Sequence, residues 1–302
     1  MTEGNAPGAR HGPRVSPQEI ASAATSALTL GYSAPMPGTD SRYTDGTVAH
    51  ETRLLGVPAL AAAISGAADR PVGETVLEAA LGSLSLAGHT DLRAAGYLAP
   101  LARAALLGER LGKVLAGLSR GDARLFARAL ETAGPGYPGS SLLGALDITL
   151  GAGRDATLRD AMHFAADRDS MAREYSRSFE ITYSLARPAL FNALTRVEAT
   201  RPALVQAYLE VLSEVPDLDA ASRAGRKEAE EVSRMAHGVL KSGGVYSRRG
   251  LQAIANLDGL LRSDGRLVPT ATEPPVVAAA FLLALEHGIG FLNYRVRPAS
   301  RR

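Results

Sequence analysis

The sequence predicts an all-α fold, a single globular multi-helix domain of roughly ten helices, and three observations predict it. The chain has 302 residues and is 46% apolar but only 5% aromatic, with no Trp and six Phe. Its core must therefore be built from Ala, Leu, Val and Ile, of which Ala and Leu favour helix. Apolar residues recur near the 3.6 period through most of the chain. No long Val/Ile/Thr alternation competes with that pattern. A chain of this length buries a large core as one big domain or two small ones, and no internal repeat divides it.

Taken in order, residues 1–16 read as a disordered tail. A first helix starts at about Ser16, Ser-capped with Pro17 at N1, and ends near Leu30 and Gly31. Residues 32–47, YSAPMPGTDSRYTDGT, form a long Pro/Gly/Asp loop. Loops of this length in a helical protein are often functional. Periodicity gives further helices at about 48–66, 72–87, 91–117, 121–133, 156–184, 188–198, 202–214, 219–242, 248–263 and 273–287. Gly243 and Gly265 fit positions just past a helix end. Thr272 fits an N-cap, with Glu273, Pro274 and Pro275 in the first turn. The run AGPGYPGSS at 133–141 separates two helical halves. The domain is expected over 17–290, with a basic C-terminal tail at 291–302.

Composition narrows the function. With 33 basic and 31 acidic residues the net charge is only +2, which argues against a nucleic-acid footprint. Zero cysteines exclude disulfides and thiolate metal sites. Residues 1–18 lack the apolar run of a signal peptide, and the longest apolar stretch, 276–285, is too short to span a bilayer. A soluble, cytoplasmic protein without a membrane partner is expected.

The most informative stretch is 157–179, TLRDAMHFAADRDSMAREYSRSF. It reads as one amphipathic helix, with Leu158, Met162, Ala165, Ala166 and Ala172 on one stripe. Asp169 falls on that stripe, where a carboxylate is costly unless paired, so it is expected to be buried. Arg173 follows four residues later, in the favourable acid-then-base order. Phe164, Arg168, Met171, Tyr175 and Phe179 make a second stripe. A solvated helix edge with one structural ion pair would give the same pattern. Three other segments concentrate polar residues: Pro35-Met36-Pro37-Gly38 with Asp40, Asp45, His50 and Glu51; Gly88-His89-Thr90-Asp91-Leu92-Arg93; and Pro216-Asp217-Leu218-Asp219 with Arg223 and Gly225. Turn chemistry or an N-cap at Thr90 or Asp91 explains the first two equally well, and Asp219 reads as a cap. There is no GxGxxG, Walker loop, HExxH or GxSxG. Spaced Asp with Arg and no Cys/His cluster suits Mg²⁺ and phosphate better than zinc.

The order of these segments resembles the triphosphoribosyl-dephospho-CoA synthase family, especially its archaeal-type branch. That branch carries a P-K-P-G-N-V loop, N-T-N-L-G before an apolar "LLLAPL" helix, a P-G-G-L-G-like turn, "TL.EAM..AADRD.IA.QY..GF", a "PD.…RK.G" segment and an "N-P-G-T-T-A-D-L" helix start. Here stand Pro35-Met36-Pro37-Gly38, then His89-Thr90-Asp91-Leu92-Arg93 leading into Tyr97-Leu98-Ala99-Pro100-Leu101, then Gly134-Pro135-Gly136-Tyr137-Pro138-Gly139. The 157–179 run follows nearly residue for residue. Pro216-Asp217 with Arg223 and Gly225, and Pro269-Thr270-Ala271-Thr272-Glu273, complete the order. The resemblance covers about residues 17–288.

The resemblance implies a transferase that joins the ribose 5-triphosphate of ATP to the 2′-hydroxyl of dephospho-CoA and releases adenine. It implies Mg²⁺, with Asp167 and Asp169 on metal or donor ribose and Arg168 and Arg173 on phosphate or orienting those acids. His89 and Asp91 would hold the acceptor or act as a base. Pro37, Gly38, Asp45, Thr90, Tyr175, Asp217, Arg223 and Thr272 would line the substrates. The chain departs at three motifs. The loop lysine is Met36, N-T-N-L-G has become His89-Thr90-Asp91-Leu92-Arg93, and the T-T-A-D acid survives at best as a displaced Glu273. Two readings follow: a divergent phosphoribosyl-type transferase with an altered acceptor and weak or absent standard activity, or a non-catalytic relative acting as a binding or partner subunit. The loop at 32–47, the turn at 88–93, the 167–175 helix and the Thr272 helix start are expected to share one cleft.

Overall fold

The computed structural model describes residues 15–44, 48–134, 140–151 and 156–293. Among them it holds fifteen α-helices and no strand, so the all-α expectation stands with more helices than the roughly ten foreseen. They are α1 (Pro17–Ser33), α2 (His50–Ser65), α3 (Val72–Ala87), α4 (Leu92–Leu107), α5 (Leu111–Ala116), α6 (Arg120–Ala133), α7 (Ser140–Gly151), α8 (Leu158–Ala165), α9 (Ser170–Ser176), α10 (Arg187–Arg196), α11 (Thr200–Glu214), α12 (Leu218–Ala224), α13 (Arg226–Lys241), α14 (Arg248–Ser263) and α15 (Glu273–His287). The tails lie almost wholly outside the described residues, as do 135–139 of the Gly/Pro run and Asp45.

Two helices apolar on nearly every face form the centre, as such helices must. In α4 every residue from Leu92 to Ala102 is buried, and in α15 every residue from Pro275 to Ala284. Helix α1 lies against α15 so closely that a Cβ on Gly31 would come within 2.5 Å of Val277 Cγ2. That approach brings Tyr32, at the end of α1, to the edge of α4. Local signals fix several starts. Ser16 and Glu19 close a capping box with Pro17 in the first turn, and Ser119 with Asp122 and Thr157 with Asp160 do the same for α6 and α8.

The structure corrects four element assignments. Three long periodic runs are broken. The run 91–117 divides at Gly108, whose φ of +64° places it in the left-handed region, and 219–242 divides at Gly225, φ +116°. The run 156–184 divides at Asp169, whose extended backbone (φ −133°, ψ 127°) starts α9 while its carboxylate accepts the Ala172 amide at 2.8 Å. A buried carboxylate with an amide donor is far cheaper there than unpaired inside a helix. Asp169 is 3% exposed, as its place on the stripe requires, but among the described residues no ion pair joins it to Arg173. The run breaks again at Ser178 and Phe179, both with positive φ. Buried Glu174 closes this corner by accepting the amides of Ile181 and Thr182 at 2.9 and 3.1 Å. The fourth correction is α7, which the neighbouring Gly/Pro run and the β-branched Ile148-Thr149 pair hid.

Candidate active site

A cleft of about 780 Å³ opens where the end of α1, the loop after it, the N-terminus of α4, the start of α15 and the segment around α12 and α14 meet. Its size suits a drug- to nucleotide-sized ligand. Tyr32, Ala94, Tyr97, Leu98 and Val277 give it an apolar and aromatic floor. Polar groups line the walls: Asp40, Arg53, His89, Asp91 and Glu273 to one side, Arg223 and Arg262 to another.

Arg53 organises the first wall. It projects from the first turn of α2, and its Nη2 donates to Asp91 Oδ2 at 3.2 Å and to Glu273 Oε1 at 2.8 Å. The guanidinium lies 3.7 Å from the Tyr32 ring centroid, close enough for a cation–π contact. The Tyr32 hydroxyl donates to Asp91 Oδ2 at 2.7 Å. Asp91 also caps α4 through the Ala94 amide at 3.0 Å, so the cap and the site readings are both true of one residue. The three charged side chains are only 11–17% exposed. Burial alone would raise the Asp91 carboxyl, but Arg53, the Ala94 amide and the Tyr32 hydroxyl together hold it below the usual carboxylate range. Burial raises Glu273, and Arg53 only partly offsets it. Burial lowers His89 below its ordinary value, so it is neutral at pH 7. Adjacent acids pushed in opposite directions are the usual arrangement for acid–base chemistry.

The loop after α1 is clamped to α14. Asp258 Oδ1 accepts the Gly38 amide at 2.8 Å, Arg262 Nη2 donates to the Thr39 carbonyl at 2.7 Å, and Tyr208 donates to the Pro37 carbonyl at 3.0 Å. Gly38 has φ +81°, and Leu261 packs where a Cβ would stand. Met36 turns inward and is 1% exposed in the core. The cleft's cations are Arg53, Arg93, Arg223 and Arg262. Arg93 grips Asp219 through both terminal nitrogens and donates to the Thr270 carbonyl at 3.0 Å. Arg223 is held by neutral acceptors, the carbonyls of Arg266 and Val268 and the Thr270 hydroxyl.

Of the residues singled out in the sequence, Gly38, Asp40, His89, Thr90, Asp91, Arg93, Arg223, Thr270 and Glu273 line this cleft. Pro37, in the same loop, is buried outside the cleft lining. Asp167 and Arg168 are exposed, with Arg168 over the Phe164 ring 5.3 Å away, and neither lines the cleft. Asp169, Arg173 and Tyr175 pack behind α4, where Tyr175 donates to the Gly96 carbonyl at 2.6 Å. Three of the four segments expected to converge therefore meet, and 167–175 forms the layer behind them. The cap assignment at α12 is reversed. Asp217 is its N-cap, at 3.0 Å from the Asp219 and Ala220 amides, and Asp219 is the partner of Arg93. Thr272 makes no cap bond to α15. Sequence reasoning missed Tyr32, Arg53, Asp258 and Arg262; only the acid-then-base spacing of Asp258 and Arg262 was a visible signal.

A second, small cavity of about 20 Å³ lies between α9, the end of α11 and the start of α15. It takes in Ser170 and Arg173, whose Oγ and Nε are buried without a protein partner. The cavity has room for one water, and these two atoms are the polar partners such a water would need. A crystal structure at about 1.5 Å is expected to show an ordered water within hydrogen-bond distance of both atoms; a dry cavity would contradict this.

A family model described as ATP:dephospho-CoA triphosphoribosyl transferase matches residues 17–291. Among solved structures, the chain resembles an Archaeoglobus fulgidus protein described as a candidate triphosphoribosyl-dephospho-CoA synthase. The two share 19% identity with a TM-score of 0.57, over 80% of this chain and 99% of that one; the likeness is one of fold. No curated protein matches the chain significantly.

Proposed function

The chain belongs to the ATP:dephospho-CoA triphosphoribosyl transferase family, and on that premise we propose that its cleft moves the phosphoribosyl part of a nucleoside triphosphate to an acceptor hydroxyl. In this reaction the bond from ribose C1′ to the base nitrogen breaks, and the base leaves with a proton. The acceptor oxygen bonds to C1′ and gives up its own proton. The observation that carries the reading is the Tyr32–Arg53–Asp91–Glu273 cluster on the cleft wall. Asp91, kept ionised, stabilises the positive charge that develops at C1′. Glu273, with its raised pKa, takes the acceptor proton. Neutral His89 stands by as a hydrogen-bond partner for the acceptor. Arg223, which among the described residues has no carboxylate within ion-pair distance although it feels the charge of Asp219, suits phosphate oxygens, with Arg262 also on the cleft wall.

The placement of Asp167 and Asp169 gives no support to a metal held between them. Among the described residues, no three His, Asp or Glu gather closely enough to enclose a metal ion. A Mg²⁺ arriving on a triphosphate needs only one or two carboxylates besides the phosphates. Asp40 on the cleft wall fits that need, and the ion would neutralise phosphate charge. Met36 faces the core, so the loss of lysine from the loop leaves the arginines of the cleft in place. Dephospho-CoA, the family's acceptor, is the first acceptor to try. Among the described residues no helix is long and apolar enough to cross a membrane.

Incubation with Mg²⁺–ATP and dephospho-CoA tests the reading. Adenine release that depends on both substrates supports it as stated, and release with ATP and some other hydroxyl acceptor supports it with a changed acceptor. If no adenine is released and no nucleotide raises the melting temperature, the transferase reading fails and the non-catalytic alternative stands.

A further inference from the structure

Helix α15 carries Glu273 as its first residue, and its start is set from outside the helix. Thr272 occupies the cap position with helical backbone (φ −88°, ψ −27°) and gives α15 no side-chain cap. Its hydroxyl donates instead to Asp217 Oδ2 at 2.8 Å. The same oxygen accepts the Ala271 amide, also at 2.8 Å. The other oxygen of Asp217 caps α12. One carboxylate, 2% exposed, thus joins the first turn of α12 to two residues more than fifty positions away. Asp219 continues the strap by accepting the Thr270 hydroxyl while it holds Arg93. Residues 270, 271 and 272 are therefore each tied to α12 immediately before Glu273. Asp217 and Thr272 line the small rear cavity rather than the cleft, whereas Glu273 lines the cleft.

We propose that Asp217 and Thr272 are positioning residues: their contact fixes where α15 begins and so aims the Glu273 carboxylate at Arg53 and the reacting centre. The proposal rests on the role given above to Glu273. It replaces substrate contact as the reason for an acid at 217. A threonine capping its own helix would leave the first turn of α15 to local energetics. Here its hydroxyl is turned onto a buried carboxylate anchored in a different helix, so the first turn cannot rotate without breaking buried hydrogen bonds. Displacing a reacting group by about 1 Å can cost roughly 100-fold in rate.

Thr272→Val is the decisive variant, because it keeps side-chain volume and removes only the hydroxyl. It is expected to fold and to lower kcat for adenine release about 10- to 100-fold, with KM for ATP changed less than about threefold. Thr272→Ser should restore wild-type rates, and Asp217→Asn should lower the rate at least as far as Thr272→Val, since its NH2 cannot accept and must face either the Ala271 and Thr272 donors or the Asp219 and Ala220 amides. Crystal structures of wild type and Thr272→Val give a readout independent of turnover: the Arg53–Glu273 contact, 2.8 Å in the parent, should be lost or lengthened. An unchanged kcat in Thr272→Val, or an unmoved Glu273, overturns the proposal. A wild-type chain that releases no adenine defeats the functional reading instead, and the structural comparison still decides whether Thr272 sets the place of Glu273.

Discussion

Replacing Arg53 by methionine should destabilise the protein by about 3–5 kcal/mol at pH 8, the cost of removing one partner from a buried ion cluster. Arg53 faces two mostly buried carboxylates, Asp91 and Glu273. Methionine keeps much of the volume and the contact with Tyr32 but leaves both acids without a cation. The pH dependence identifies the cause. In the wild type Asp91 is held low, so its ionisation stabilises the fold above its unfolded pKa and that contribution is lost as pH falls through the folded value. In the variant burial loses its main opponent at both acids, with only the Ala94 amide and the Tyr32 hydroxyl still acting on Asp91, and both folded pKa values rise. The protonated forms are then favoured on folding. The deficit is therefore full above the raised values and shrinks as pH falls toward about 4, the unfolded pKa of carboxylates. Urea denaturation at pH 8 and pH 4.5 measures it. A deficit below about 1 kcal/mol that is the same at both pH values would mean that the cluster is a solvent-screened surface network. Adenine release, if present in the wild type, should fall at least 100-fold or so, because Asp91 and Glu273 lose their fixed positions together with the charge between them.

The cluster also shows what could be read from the sequence and what could not. Gly38, His89, Thr90, Asp91 and Arg223 were legible because they sit in loops or at helix ends, where polar residues stand out against apolar runs. Arg53 and Glu273 come from the first turns of two helices 220 positions apart, and nothing local marks them as a pair. Asp169 was legible as buried, from its place among Leu158, Met162 and Ala165, but its partner was not. Periodicity assumed a continuous helix and so offered Arg173, whereas the backbone breaks and supplies the Ala172 amide. The same limit explains the divided runs at Gly108 and Gly225. Apolar spacing continues across each break, and only tertiary packing decides that the chain turns. At α12 a pattern D-x-D leaves two candidates for the cap, and the choice of Asp217 depends on Arg93, 126 positions from Asp219, drawing Asp219 away. The all-α class was secure for the opposite reason: it rests on composition and period summed over the whole chain, which no single contact can reverse.

Gly73→Ala should be strongly damaging for a single added methyl, costing about 3 kcal/mol. Gly73 lies in the first turn of α3, where that helix meets the first turn of α6. Its amide donates to Asp122 Oδ1 at 2.9 Å, while Asp122 Oδ2 accepts from the Ser119 amide and hydroxyl at 2.8 and 2.6 Å. A single buried carboxylate thus serves two helix N-termini, where negative charge is favoured. The Ser119 carbonyl in turn accepts the Leu158 amide at 3.1 Å, which ties α8 to the same point. A Cβ on Gly73 would stand 2.4 Å from the Asp122 carbonyl oxygen and 2.7 Å from its Cα. These are backbone atoms, so no rotamer change relieves the clash. The helices must separate, and the Gly73–Asp122 bond lengthens with them. Gly259→Ala is the matched control: Gly259 lies inside α14 with nothing within 4 Å of the added methyl. There alanine should stabilise by about 0.5–1 kcal/mol through helix propensity. Opposite signs for the two variants in parallel denaturation curves are the expected result. A Gly73→Ala protein within about 1 kcal/mol of wild type would mean that α3 and α6 do not meet backbone to backbone.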